Sequence, residues 1–141
     1  MLSALNAAGV DYLVVGAYAM AAYGCPRATG DIDFWVRPTP PNAARVWDAI
    51  IAFGAPASQI TVEDFSTPDV VYQIGVAPQR IDILTSISGV EFDAAWENRL
   101  VADLDGVSAF VIGRHELLQN KMASGRPKDL LDVDVLNSDD S

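Results

Sequence analysis

Leu13-Val14-Val15-Gly16-Ala17, followed after thirteen residues by Asp31-Ile32-Asp33-Phe34, is the pair of stretches that decides the fold. Tyr12 to Val15 is apolar without alternation, the pattern of a central strand covered on both faces, and Gly16 ends the run. Ala17 to Tyr23 then reads as a helix, with Gly24 placed to close it in a left-handed conformation. In an extended strand residues i and i+2 point the same way, roughly 7 Å apart. Asp31 and Asp33 therefore share one face, and Ile32 and Phe34 share the other. Two carboxylates held side by side repel unless a cation lies between them, and hard oxygen donors of this kind suit Mg²⁺ or Mn²⁺. The alternative is the solvated face of an edge strand, and the aspartates alone do not decide between the two.

Outward from this centre the chain alternates helices and strands. Leu2 to Ala8 is a short helix stopped by Gly9. After the strand Asp31–Val36, Pro40 or Thr39 opens a helix in which Ala43, Val46, Trp47, Ile50 and Phe53 recur at helical spacing, and Gly54 stops it. That stripe reads as core. Residues 55 to 68 read as loop, and residues 69 to 76 and 79 to 84 as two strands of a hairpin turning at Ala77-Pro78. In the second strand Ile81 and Ile83 face one way while Arg80, Asp82 and Leu84 face the other. Asp82 is either a surface residue paired with Arg80 or the third carboxylate of a metal site with Asp31 and Asp33. Glu91 to Asn98 suggests a helix, Val107 to Ile112 a strand, and Gly113 to Ser124 a helix with Leu117, Leu118 and Met122 inward. Gly125 closes that helix and Pro127 opens a last one through Leu136. The sum is a two-layer α/β (α+β) domain over residues 1–136, with 137–141 as a flexible acidic tail.

The bulk numbers exclude several classes. The chain has 141 residues, 50% hydrophobic and 20% charged, enough for one core and typical of a globular protein. Its apolar runs fall well short of the roughly 20 residues that span a bilayer. No basic leader precedes the first helix, so a cytoplasmic protein without membrane association is expected. Cys25 is the only cysteine, which excludes an intrachain disulfide and a cysteine-built zinc site. A formal charge of −10 with two lysines argues against a protein whose main work is gripping nucleic-acid backbone. His115, the single histidine, lacks a second histidine or a nucleophile context and reads as structural or surface.

These residues carry a resemblance. Val15-Gly16-Ala17, then Asp31-Ile32-Asp33, then Asp82 on a later strand, resembles the signature of the nucleotidyltransferase superfamily of DNA-polymerase-β type. More narrowly, residues 23–33 (Tyr-Gly-Cys-Pro-Arg-Ala-Thr-Gly-Asp-Ile-Asp) and 121–133 (Lys-Met-Ala-Ser-Gly-Arg-Pro-Lys-Asp-Leu-Leu-Asp-Val) resemble small bacterial nucleotidyltransferase-like proteins related to the AbiEii toxin family. The resemblance implies a nucleotidyltransferase fold, a mixed β-sheet with helices packed against it. It implies metal-dependent transfer of a nucleoside monophosphate from an NTP to a hydroxyl of RNA, a protein or a small molecule. Asp31, Asp33 and Asp82 would then be catalytic and hold Mg²⁺ or Mn²⁺, with Asp82 helping to deprotonate the attacking hydroxyl. Gly16 and Ala17 would cradle the phosphates, and Lys121 would meet them as a mobile charge. Asp129 would orient Lys121 or Arg126 or help bind nucleotide; Arg27 and Thr29 would contact phosphate or pin the turn before Asp31. The turn departs from the usual Gly-Gly or Gly-Ser, because Ala17 adds a methyl where phosphate approaches. A binding module or antitoxin-type regulator on the same fold is the alternative, and a chain this short favours a protein partner or a homodimer.

Overall fold

The structure is a computed structural model that describes residues 1–25, 30–76 and 79–138. Its elements run α1 (Leu2–Ala7), β1 (Tyr12–Val15), α2 (Gly16–Ala22), β2 (Ile32–Val36), α3 (Pro40–Phe53), β3 (Val71–Ile74) and β4 (Ile81–Leu84). Then come α4 (Phe92–Glu97), β5 (Leu100–Leu104), β6 (Val107–Val111), α5 (Arg114–Ser124) and α6 (Pro127–Ser138). The six strands form one mixed sheet in the order β3-β4-β2-β1-β6-β5. β1 is central, antiparallel to β2 and parallel to β6, and β2 is parallel to β4. The architecture is the expected mixed α/β sheet with helices against it.

All four residues of β1 are buried, which is why the run shows no alternation. The register sets Val14 opposite Phe34 and Tyr12 opposite Val36, so these residues share one face, and the Tyr12 and Phe34 rings meet edge-on at 5.7 Å between centroids. Val15 lies opposite Asp33, on the other face. α3 opens with prolines in its first turn and ends at Gly54, whose φ of 88° turns the chain so that the Ala55 N–H donates to the Ile50 carbonyl at 3.0 Å. Ala43, Val46 and Ile50 of its stripe are buried; Trp47 is half-buried, and Phe53, in the fraying last turn, is exposed.

Five expectations need correction. The stretch read as loop holds a 3₁₀ turn over Val62–Ser66, started by a capping box in which the Thr61 N–H donates to Asp64 Oδ2 at 2.9 Å. β3 and β4 are shorter than the runs that announced them, and the turn at Ala77-Pro78 lies outside the described residues. β5 was not expected at all. It pairs with β6 across Asp105-Gly106, both at positive φ (52° and 86°), as a two-residue type I′ hairpin requires. In α5 Met122 is 62% exposed, and Lys121, one turn beyond the fully buried Leu117, points inward instead. The last helix runs on through Ser138. Among the described residues no helix is long and apolar enough to cross a membrane.

Candidate active site

The parallel pairing of β2 with β4 puts Asp33 directly beside Asp82 in the register. Asp31 precedes β2 and is fixed through the backbone: its Oδ1 accepts the Arg80 N–H at 3.0 Å, while the Ile32 N–H donates to the Arg80 carbonyl at 3.0 Å. The three carboxylates thus lie together on one face of two neighbouring strands. The Arg80 side chain lies among them. Its Nε donates to Asp82 Oδ1 at 2.9 Å and its Nη2 to Asp82 Oδ2 at 3.2 Å, with Asp31 Oδ2 at 3.7 Å. The pairing of Asp82 with Arg80 expected from the sequence is present, at a buried rather than a surface aspartate that lies beside Asp33.

Among the described residues Arg80 is the cation shown beside Asp82 and Asp31. Burial pushes the Asp33 carboxyl up to about 6; the charge of Asp82 and a hydrogen bond shared with it add to this, and Arg80 only partly opposes the rise. Gly16 closes the site from the end of β1. A Cβ on Gly16 would lie 2.3 Å from Asp33 Oδ2, and its φ of 70° already disfavours any side chain. Glycine here is a condition for Asp33 to sit where it does.

Across a cleft of about 540 Å³ stands a second group of charges, on α5 and α6. Lys121 is 7% exposed, its Nζ 2.9 Å from Asp132 Oδ2 and 3.6 Å from Asp129 Oδ1. Asp129 is also buried. It accepts Ser124 Oγ–H at 2.5 Å and Arg126 Nε–H at 2.7 Å. Burial alone would raise its pKa; Arg126, Ser124 and Lys121 outweigh that and hold it below the usual carboxylate range. Lys128 lines the same wall, and Ala17 and Met20 of α2 line the cleft beside Gly16.

The structure brings Gly16, Ala17, Asp31, Asp33, Asp82, Lys121, Arg126 and Asp129 to one cleft. Arg27 and Thr29 lie outside the described residues. Lys121 is not the mobile charge expected from the sequence, since two carboxylates hold it in place. Asp132 was missed as its partner, and Arg80 as part of the cluster. A signal for Asp132 exists: Asp129 and Asp132 fall three apart on a helix, on one face, among leucines and valines. His115 is exposed, as expected.

The donor set, three carboxylates on or beside two neighbouring strands, is of the oxygen type that suits a hard divalent cation. As they stand they are spread around the guanidinium. Among the described residues no three Asp, Glu, His or Cys side chains are gathered closely enough to hold a metal ion.

Neither a protein-family model nor a curated protein matches the sequence. Among solved structures, the crystal structure of a Thermotoga maritima protein provisionally assigned as a nucleotidyltransferase is similar, with a TM-score of 0.63. The match covers 97% of this chain and 88% of that one at 16% identity, so the likeness is one of fold.

Proposed function

We propose that this chain is a metal-dependent nucleotidyltransferase that moves a nucleoside monophosphate from an NTP to a hydroxyl acceptor and releases pyrophosphate. The observation that carries this reading is the cleft itself. A floor with the carboxylates of Asp31, Asp33 and Asp82 faces a wall bearing Lys121, Arg126 and Lys128. Asp31, Asp33 and Asp82 would hold Mg²⁺ or Mn²⁺, which when bound neutralises phosphate charge and favours the ionised acceptor hydroxyl. The remaining roles belong to the chain. Gly16 leaves its backbone open to the β- and γ-phosphates, as no other residue could without displacing Asp33. Arg126, 71% exposed, and Lys128 reach the triphosphate from the wall, and Lys121 fixes that wall by pinning Asp129 and Asp132 to α5. Asp82 accepts the acceptor's proton once its oxygens are released from Arg80. The resemblance to small nucleotidyltransferase-like proteins supports the reading, as does the shared fold. A cytoplasmic location, where NTPs are available, goes with it.

A second reading has one observation in its favour. Met122, Leu130, Leu131 and Val135 on α5 and α6 are 40 to 66% exposed, an apolar surface that a protein partner of toxin–antitoxin type or a second copy would cover. Calorimetric titration with each of the four NTPs, in Mg²⁺ and in EDTA, separates the readings. The enzyme reading expects Mg²⁺-dependent binding to the wild type that is lost in Asp33→Asn. Metal-independent binding, or none by a folded protein, would overturn it and leave the binding module.

A further inference from the structure

We propose that Arg80 is a built-in competitor for the metal: its guanidinium fills the cation position of the carboxylate cluster in the free protein and leaves when a divalent ion enters. The proposal rests on the nucleotidyltransferase reading above and adds a residue to it. The backbone of Arg80 is tied on both sides of Asp31, by its own N–H to Asp31 Oδ1 and by its carbonyl to the Ile32 N–H. The Cα therefore cannot leave the site; only the side chain is free to swing. That side chain takes both oxygens of Asp82, at 2.9 and 3.2 Å, and approaches Asp31 at 3.7 Å. A divalent ion draws on the same two oxygens and repels the guanidinium beside them, so Arg80 and metal compete for Asp82.

Size separates the two occupants. A guanidinium is a planar fork that keeps carboxylate oxygens close to 3 Å from its nitrogens. Mg²⁺ draws its oxygens in to about 2.1 Å. Binding the smaller ion would therefore draw the Asp31 and Asp82 oxygens inward from their places around the guanidinium. Arginine does not lose its proton, so the exchange proceeds by movement. The side chain is 34% exposed, with open cleft beside it, and so has a way out. The displaced guanidinium needs an anion, and a triphosphate in the same cleft provides one. Metal alone should therefore bind weakly, and metal and triphosphate should favour each other's binding.

The test is a calorimetric titration of Mn²⁺ alone into the wild type, Arg80→Ala and Arg80→Lys, with Asp33→Asn as control. Arg80→Ala should bind Mn²⁺ about tenfold tighter than the wild type, the scale of removing one charged hydrogen-bond competitor. Arg80→Lys, with a single-point charge and no fork, should fall between them. In EDTA, Arg80→Ala should melt lower than the wild type, and Mn²⁺ should restore it. Equal or weaker Mn²⁺ binding by Arg80→Ala, with Mn²⁺ still bound by the wild type, overturns the role of Arg80 and leaves the metal site standing. Absence of Mn²⁺ binding by every protein, with and without NTP, overturns both. Should the alanine variant not fold, the wild type itself decides: the Arg80 Nε–H resonance should shift and lose exchange protection on adding Mg²⁺ and NTP. An unchanged resonance while both ligands bind refutes the exchange.

Discussion

Replacing Asp33 by asparagine should make the metal-free protein more stable at neutral pH, although it removes a residue at the centre of the candidate site. The Asp33 carboxyl binds its proton more tightly in the folded chain, its pKa raised from 3.8 to about 6 by burial and by Asp82. Stability tied to that proton is fully present below the unfolded value and is lost as pH rises through the folded one. Above pH 6, ionised Asp33 works against the fold. Each pKa unit is worth about 1.4 kcal/mol, so a fully enclosed group shifted this far would cost roughly 3 kcal/mol. Asp33 is only half-buried and lines an open cleft, so solvent screening reduces this to about 1–2 kcal/mol. Asparagine keeps the shape, removes the charge and can donate to Asp82. In EDTA at pH 7.5, Asp33→Asn should therefore be about 1–2 kcal/mol more stable, or roughly 3–8 °C higher in Tm. The gain should shrink between pH 6 and pH 4 and vanish below. Urea titrations followed by circular dichroism across that range measure it directly. Added Mg²⁺ should stabilise the wild type and not the variant. A variant less stable than the wild type at pH 7.5 in EDTA, or a difference independent of pH, would refute the account of ionised Asp33 as a charge that works against the fold.

Gly16→Ala should destabilise the chain by about 1–3 kcal/mol, from left-handed backbone and a Cβ 2.3 Å from Asp33 Oδ2, and should abolish NTP binding in calorimetry. Lys121→Met should cost about 3 kcal/mol in chemical denaturation because it removes a buried cation 2.9 Å from Asp132 and 3.6 Å from Asp129; Arg126→Ala, at an exposed side chain, should cost far less while weakening NTP binding. Gly106→Ala should cost about 1 kcal/mol by the same measurement, from its φ of 86° alone, since nothing lies within 4 Å of an added Cβ.

How much of this was legible in the sequence depended on whether one element or two carried the signal. β1 and α3 could be read nearly to the residue, because an unbroken apolar run and a stripe bounded by prolines and a glycine depend on local chemistry alone. The shared face of Asp31 and Asp33 followed from strand periodicity. β5 escaped because Leu100-Val101-Ala102-Asp103-Leu104 is an edge strand whose inner face is only half-buried, at Ala102 and Leu104, while exposed Val101 on the other face blurs the alternation. Its turn was nonetheless written plainly as Asp105-Gly106. Met122 reads as inward because an apolar residue on a helix is ordinarily buried. The helix turns Lys121 inward instead, and its partners Asp129 and Asp132 lie on a different helix, beyond anything periodicity within α5 could reveal. Arg80 presented the same difficulty. Its bond to Asp82 two residues away was visible in the sequence, but its backbone bonds to the Asp31 segment exist only once β4 lies beside β2.

Sorted by element, the charges of the cleft bear on what it can bind. Among the described residues the floor carries Asp31, Asp33, Asp82 and Arg80, and burial together with the charge of Asp82 raises the pKa of Asp33. The helical wall carries Lys121, Arg126 and Lys128 beside Asp129 and Asp132. Both halves are stiff. The floor is sheet backbone, and the wall is locked by buried ion pairs that would be costly to break. A simple anion would meet repulsion from the floor, and a simple cation would gain nothing from the wall. A ligand that carries positive charge on one side and negative charge on the other satisfies both, and a divalent ion chelated by a triphosphate is such a ligand. It would also draw Arg80 away from Asp82 toward phosphate, so the exchange at Arg80 and the polarity of the cleft call for the same substrate.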